Sequence, residues 1–302
     1  MKQKSKSKSA LPIIFIMDMD LTMIGNSATF SSCIEVVKFV RACCKSKKIE
    51  GLPCPKPVAF SDLMTIDFVR PGLKAMFANI SEMYPTAEFF VYSAGAKPYV
   101  HAVIAALEKL VNVSFNKPIL TRDECILNET RNYTKSITVH YDAMIQTLLS
   151  RYPGLAKKEN QDDVLKSRIV FIDDVDYVWD LKEKWVKCPE YLYNPVLDIT
   201  QYIDTSTRKH PLVATQIETN EAFFKEPEVE STDERNMAYH MYMAEWYRSQ
   251  YVKNKLAFED KFCEKFVECI KPFKKLAHPF SNANIAKVNA QQQKSQGDLE
   301  KA

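Results

Sequence analysis

Three short apolar runs, each halted by a group that can do chemistry, constrain this chain more than any other feature. Ile13 to Met17 runs into Asp18, Phe89 to Tyr92 into Ser93, and Ile169 to Ile172 into Asp173 and Asp174. Runs this apolar predict strands covered on both faces, as in a parallel sheet. Helical patterns lie between them. One carries Ile34, Val37, Phe39 and Val40 and ends at Lys45, Lys47 and Lys48. Pro98 opens a second, with Val100, Val103, Ile104, Leu107 and Leu110, and Met144, Leu148 and Leu149 mark a third before Pro153 and Gly154. The alternation predicts an α/β fold, a parallel sheet flanked by helices. Ligands of such sheets bind outside the carboxyl ends of the strands, so the three ends converge on one site if the strands are adjacent.

Asp18 and Asp20 are two apart, and in extended backbone their side chains point the same way. Neighbouring carboxylates repel, more so away from water, and a multivalent cation or a shared proton must compensate. Magnesium prefers carboxylate oxygens together with retained waters and substrate phosphate. Asp174 can supply a further oxygen.

Composition narrows the class. With 302 residues, 46% of them hydrophobic, the chain can bury a sizeable core, and a net charge of +3 argues against binding nucleic acid over the whole surface. No run approaches the roughly 18 apolar residues that span a bilayer. Leu11 to Met17 is too short for a secretory signal and lacks a small-residue cleavage site. The eight cysteines form no CxxC pair, and the five histidines are scattered. These features predict reduced thiols, no zinc site, and a nuclear or cytoplasmic protein that is neither secreted nor membrane-bound.

Residues 1–10, where lysines alternate with serines, are expected to be a basic disordered tail, an address or a solvated end. Residues 11–205 form the α/β domain, 206–230 a polar linker bracketed by prolines, 231–280 a helical appendage, and 281–302 an Asn/Gln/Lys-rich disordered tail. The appendage rests on two stripes at helical spacing: Met237, Met241, Ala244, Tyr247 and Tyr251, then Phe258, Phe262, Phe266 and Ile270. The stripes read as packing on the core, with a partner-binding helix pair as the alternative. Tyr92 reads as core, His101 as helix surface, and Arg70 as a scaffold ion-pair residue.

Ile13-Ile14-Phe15-Ile16-Met17-Asp18-Met19-Asp20-Leu21-Thr22 resembles the first motif of the haloacid dehalogenase superfamily, an apolar strand followed by DxDxT. Val91-Tyr92-Ser93, Lys135 and Phe171-Ile172-Asp173-Asp174 resemble the remaining three motifs, in order. A narrower resemblance is to the small phosphatases of the RNA polymerase II C-terminal domain, also described as NLI-interacting-factor-like. It rests on Arg70-Pro71-Gly72, Thr121-Arg122-Asp123-Glu124-Cys125 and Tyr133-Thr134-Lys135, and covers about residues 11–205. Ser136, Ser93 and Asp174 stand where that group more often has Asp, Thr and Asn.

The resemblance implies a Rossmann-like phosphatase domain that uses Mg²⁺. It makes Asp18 the nucleophile, forming an aspartyl-phosphate, and Asp20 the general acid and then base. Mg²⁺ would be held by Asp18, Asp20 (through its carbonyl) and Asp174. Ser93 and Lys135 would bind phosphate, Asp173 orient Lys135, and Thr22 brace the loop carrying Asp20. The implied substrate is a phosphoserine or phosphothreonine protein, of the kind a polymerase tail provides. A nucleic-acid 3′ end or a small metabolite is the alternative substrate, the latter favoured if residues 25–68 form a closed cap. A catalytically idle binding module on the same fold is the third reading.

Overall fold

The structure is a computed structural model describing residues 11–127, 133–193, 201–218, 257 and 259–299. The chain divides into two compact units, Met1–Met23 with Val69–Tyr191 and Asp260–Ala302, and Ile24–Phe68 with Leu192–Glu259. The expected tail 1–10 and the stripe from Met237 to Tyr251, together with Phe258, lie outside the described residues.

In the first unit the strands, in chain order, are β1 (Ile13–Met17), β2 (Ala87–Val91), β3 (Ile126–Leu127), β4 (Tyr133–Thr134), β5 (Ile169–Asp173) and β6 (Trp185–Lys187). Four form one sheet in the order β2-β1-β5-β6, every pairing parallel, while β3 and β4 form a small antiparallel pair. The fold is therefore α/β, as the apolar runs predict.

Helices α1 (Ala28–Lys45) and α2 (Phe60–Leu63) belong to the second unit; α3 (Leu73–Met83), α4 (Lys97–Val111), α5 (Ile137–Leu148) and α6 (Lys158–Ser167) belong to the first. Pro98 sits in the first turn of α4, and Asn112, left-handed at φ 55°, ends it.

Strand alternation assigns the two faces of β1. Ile14 and Ile16 join Phe90, Ile169 and Phe171 in a cluster with Tyr141, Met144, Ile145 and Leu148 of α5 and Val164 of α6. Phe15 meets Phe89, Phe280 and Tyr84 at ring-centroid distances of 5.6, 5.4 and 6.4 Å.

Phe280 belongs to a part of the chain whose fold the sequence does not suggest. The helix Asn282–Leu299 stands where a disordered tail was expected. Its apolar content is small, but Ile285 and Val288 are buried and Phe280 anchors its start. Asn289 does the rest. Its amide donates to the Trp185 carbonyl at 2.9 Å and its oxygen accepts the Lys187 N–H at 3.2 Å, as a neighbouring strand would do for the open edge of β6. Phe262 to Ile270 is helical as expected, burying Phe262, Phe266 and Ile270. The Tyr84 hydroxyl donates to the Ile270 carbonyl at 2.8 Å. Residues 260–299 belong to the sheet-bearing unit.

Lys184 pins this segment. Its side chain is buried and donates to the Lys166 carbonyl at the end of α6, to the Phe280 carbonyl at 3.2 Å and to Asn282 Oδ1 at 2.6 Å. Burial pulls its pKa below the usual lysine value. Lys184→Met would strand buried acceptors without donors, and a loss of about 3 kcal/mol is expected. A urea denaturation curve checks this through a lower midpoint at unchanged slope.

In the second unit, α1 packs against α2 and against α8 (Pro211–Glu218), which follows α7 (Thr205–Arg208). The start of the expected 206–230 linker is therefore helical. Val213 and Ile217 are buried one helical turn apart, a stripe too short to stand out from its polar surroundings. The Phe30 ring lies 5.2 Å from Phe60 and 4.4 Å from Phe68. Gly25 is required here, since a Cβ would lie 2.3 Å from the Tyr193 carbonyl oxygen. The insert at 25–68, expected as the place for a cap, is part of this second unit.

Candidate active site

β1 lies between β2 and β5, with Met17 paired to Val91 on one side and to Ile172 on the other. The register delivers Asp18, Ser93 and Asp173 to the same end of the sheet. The strand ends are tied by backbone bonds: Asp18 N–H donates to the Ile172 carbonyl at 2.9 Å, and Tyr92 N–H to the Met17 carbonyl at 3.0 Å.

Lys135 arrives from elsewhere. It follows β4, and its backbone N–H and carbonyl bond to Tyr177 and Trp179 at 2.6 and 2.7 Å, a parallel bridge opposite Val178. This places a lysine only 2% exposed between two acids, its Nζ 2.5 Å from Asp18 Oδ1 and 2.7 Å from Asp173 Oδ2. The Phe171 ring lies 5.5 Å from the ammonium. Burial favours a neutral lysine, but the charges of Asp18 and Asp173 outweigh it and hold the pKa above the usual value.

The carboxylate oxygens of Asp18, Asp173 and Asp174 lie within 4.8 Å of one another, all three residues buried. Burial pushes the Asp173 carboxyl up to about 7, with Lys135 pulling it back and Asp18 pushing it further. Burial and then Asp18 push Asp174 up to about 6. Three acids against one ammonium leave an excess of negative charge out of water. That is the setting that a divalent, oxygen-loving cation fits.

Asp173 is fixed from behind: its carbonyl accepts from Trp185 Nε1 at 3.0 Å and from Cys188 N–H at 3.1 Å. Thr22 Oγ1 donates to Asp174 Oδ1 at 2.9 Å and accepts the Asp174 N–H at 3.1 Å, so it ties the loop after β1 to the end of β5. The Cys188 thiol sits 3.5 Å from the same hydroxyl, and burial pushes that thiol up to about 12.

Ser93 is buried, its N–H donating to the Leu120 carbonyl at 3.0 Å and its Oγ accepting the Gly95 N–H at 3.0 Å. The N-cap of α4 is Ala96, so Ser93 is not that helix's cap. Ser136, at the position more often Asp, caps α5 by accepting the Val139 N–H at 3.3 Å, and its hydroxyl donates to Asp180 at 2.7 Å. Asp180 also takes the Ile137 N–H at 2.8 Å. An acid from a distant loop thus serves the helix start, where negative charge is favoured.

The Asp20 carboxylate is not one of the three in that cluster, and the Tyr99 hydroxyl donates to its Oδ1. Between Asp20 and Thr22, Leu21 adopts φ 58°, the left-handed region. The Leu21 carbonyl receives the Tyr191 N–H at 2.7 Å and Arg70 Nη2 at 3.1 Å. Arg70 is buried, donates to the Pro189 carbonyl, pairs with Asp260 at 3.7 Å and lies against the Tyr191 and Phe262 rings at 5.6 and 5.1 Å. It is a scaffold residue whose scaffold is the loop carrying Asp20.

Asp18, Asp173, Asp174, Lys135, Thr22 and Ser93 are therefore gathered at one end of the sheet, and Asp20 lies on the loop beyond it. Sequence reasoning missed Tyr99, Cys188 and Asp180. For Tyr99 a signal existed, since it sits in the first turn of the helix that follows Ser93.

Known proteins extend this picture. The NLI interacting factor-like phosphatase family matches residues 13–209. Among solved structures, Fcp1, described as an essential RNA polymerase II CTD phosphatase, is similar at 16% identity, over 91% of this chain and 69% of that one, with a TM-score of 0.32. A variant of the fission yeast CTD phosphatase Fcp1 bound to beryllium fluoride is similar at 16% identity, over 91% and 70% of the two chains, with a TM-score of 0.31. Curated protein sequences offer no match. Among the described residues, no helix is long and apolar enough to cross a membrane. With a family match over most of the chain and a parallel α/β sheet beneath it, the protein belongs to the NLI interacting factor-like phosphatases, phosphoric monoester hydrolases of the haloacid dehalogenase type.

Proposed function

We propose that the protein hydrolyses phosphoserine or phosphothreonine esters in an extended peptide, through an aspartyl-phosphate on Asp18. The observation that carries this reading is the Lys135 ammonium shared between Asp18 and Asp173 beside Asp174.

Lys135 holds Asp18 Oδ1, which leaves attack on phosphorus to Oδ2. As the Oδ2–P bond forms, the bond from phosphorus to the serine oxygen breaks, and Asp20 delivers a proton to that oxygen. Asp20 then takes a proton from a water that attacks the acyl phosphate, releasing inorganic phosphate and restoring Asp18. The incoming ester carries a charge of about −1.5 to −2. Lys135 offsets part of it, and the Ser93 hydroxyl donates to a phosphate oxygen. Asp173 orients Lys135, and Thr22 keeps Asp174 in line. Mg²⁺, held by Asp18, Asp174 and the Asp20 carbonyl, would supply electrostatic stabilisation of the transferring phosphoryl group.

Exposed Tyr177 and Trp179, the backbone partners of Lys135, and exposed Tyr133 offer apolar surface to an extended peptide and equally rings on which a base could stack, so the substrate classes are separated by turnover. Intact acids and lysine in hydrogen-bonding geometry argue against an idle scaffold. The deciding experiment measures turnover, in magnesium, of phosphoserine heptad peptides, a 3′-phosphorylated oligonucleotide and small phosphate monoesters. Peptides turned over with the highest kcat/KM support the reading. Preference for the oligonucleotide or for a small monoester removes the substrate assignment, and no turnover at all removes the activity.

Removal of the metal gives a separate prediction. EDTA is expected to stop activity and added Mg²⁺ to restore it. A protonated carboxyl cannot ligate, and the Asp174 carboxyl is pushed up to about 6. Apparent Mg²⁺ affinity should therefore fall as pH drops through about 6 and level off above 7, as read by titrating activity with magnesium at each pH. A rate indifferent to EDTA would refute the charge argument.

A further inference from the structure

The Tyr99–Asp20 contact is not accounted for by the roles above. We infer that Tyr99 is a positioning residue: its hydroxyl orients the Asp20 carboxyl toward the leaving oxygen. The inference rests on the reading of Asp20 as the proton-transfer group.

Three observations build it. First, the Tyr99 hydroxyl donates to Asp20 Oδ1, joining the first turn of α4 to the loop after β1, elements far apart in the chain. Second, Gly95 clears room for the ring. A Cβ there would lie 3.0 Å from Tyr99 Cδ1, 2.8 Å from Val100 Cγ2 and 3.2 Å from Ser93 Oγ, so a side chain would push the phenol away. Third, the turn beneath the ring is fixed on both sides. Gly95 N–H donates to Ser93 Oγ at 3.0 Å, and the Gly95 and Ala94 carbonyls accept from Arg122 N–H and Nε at 2.9 and 2.8 Å. The ring sits in a rigid seat, and that seat contains Ser93.

Of the rotamers open to a part-buried carboxyl on a loop, few aim an oxygen at the leaving group. A hydroxyl donor on Oδ1 restrains the carboxyl plane. The turn leading into α4 thus seats both Ser93, the hydrogen-bond donor to phosphate, and the group that orients the acid. A tyrosine that only packs would have no such consequence, and the two cases separate by leaving group. Dinitrophenolate departs without a proton, whereas a serine alkoxide or phenolate requires one. General acid catalysis contributes about 10²–10⁴-fold where it operates. Loss of orientation alone should lower the rate of leaving-group departure about 10- to 100-fold for such esters, and little for activated ones.

The test compares Tyr99→Phe with the unaltered protein on 2,4-dinitrophenyl phosphate, phenyl phosphate and a phosphoserine peptide, in saturating Mg²⁺ at one pH. The expected result is a kcat/KM, which reports only the steps up to departure of the leaving group, at least tenfold lower on phenyl phosphate and the peptide and within about twofold on the dinitrophenyl ester. The activated ester also reports that the variant is folded. A uniform loss of kcat/KM across the three esters, or no loss, overturns the inference. Asp20→Asn in the same series distinguishes two failures. If it shows the leaving-group dependence and Tyr99→Phe does not, the role of Tyr99 alone is wrong. If Asp20→Asn shows none, Asp20 is not the acid, and both readings fall.

Discussion

Lys135→Met is expected to abolish turnover and to destabilise the fold. The lysine is 2% exposed and bonds to Asp18 and Asp173 at 2.5 and 2.7 Å. Methionine keeps the aliphatic stem against Phe171 and removes only the charge. What remains is a set of buried carboxylates within 4.8 Å of one another. Removing one partner of a buried ion pair costs about 3–5 kcal/mol, because the other charge is left without compensation. Asp173, already pushed up to about 7, would be pushed further and would hold its proton at neutral pH. The sign of the pH dependence follows. A carboxyl whose folded-state pKa is raised favours folding most at pH values where the unfolded chain is also protonated. That advantage is lost as pH rises from about 4 through the raised value. The deficit of the variant should therefore be larger at pH 7.5 than at pH 5, as urea midpoints would measure. Turnover should fall by about a thousandfold or more, since both the cation on the phosphate and the anchor of Asp18 are gone. A stable variant with measurable turnover would mean that the ammonium is not the counter-charge of the site.

Asp18→Asn should have the opposite effect on stability with the same effect on activity. Asparagine is nearly isosteric, its carbonyl oxygen can still accept from Lys135, and Asp173 retains its partner. One like charge is removed from the cluster with Asp173 and Asp174, so the folded state should be unchanged or slightly more stable. An amide oxygen is a far weaker nucleophile toward phosphorus than a carboxylate. Turnover of an aryl phosphate is expected to drop by at least about 10⁴-fold, with no acid-stable phosphoenzyme trapped on rapid quench. If phosphoenzyme still accumulates in Asp18→Asn, the nucleophile is another residue. The two variants together separate chemistry from scaffold, because one damages both and the other only the first.

Much of the sheet is readable directly. Every residue of Ile13–Met17 and Ile169–Asp173 is buried, and such runs cannot be mistaken for amphipathic elements. The acids closing them follow from the rule for carboxyl ends of parallel strands, and β1 lies between the other two strands that the reading needed. Lys135 is different. Its place depends on a bridge to Val178 and on backbone bonds to Tyr177 and Trp179, long-range pairings that leave no periodicity in the sequence. Only its position in a known order of motifs marks it. Asp180 was missed for the same reason: its hydrogen bonds to the start of α5 join residues far apart in the chain and have no local signature. The helix Asn282–Leu299 was missed for another. Its hold on the core comes from two apolar side chains and from Asn289 capping the β6 edge, and a composition rule reads such a segment as solvated.

The contact of Phe15 with Phe280 also bears on how the protein is made. One face of β1 is covered by the ring of Phe280, which is translated long after that strand. Residues Ile24–Phe68 and Leu192–Glu259 can gather while translation continues, but the sheet cannot be closed on that face until the segment beyond Asp260 emerges. At about 5–20 residues per second, β1 waits many seconds with apolar surface uncovered. Chaperone occupancy during synthesis should therefore centre on the Ile13–Met17 strand. A polypeptide stopped at residue 209, where the family resemblance ends, would keep that strand exposed and aggregate.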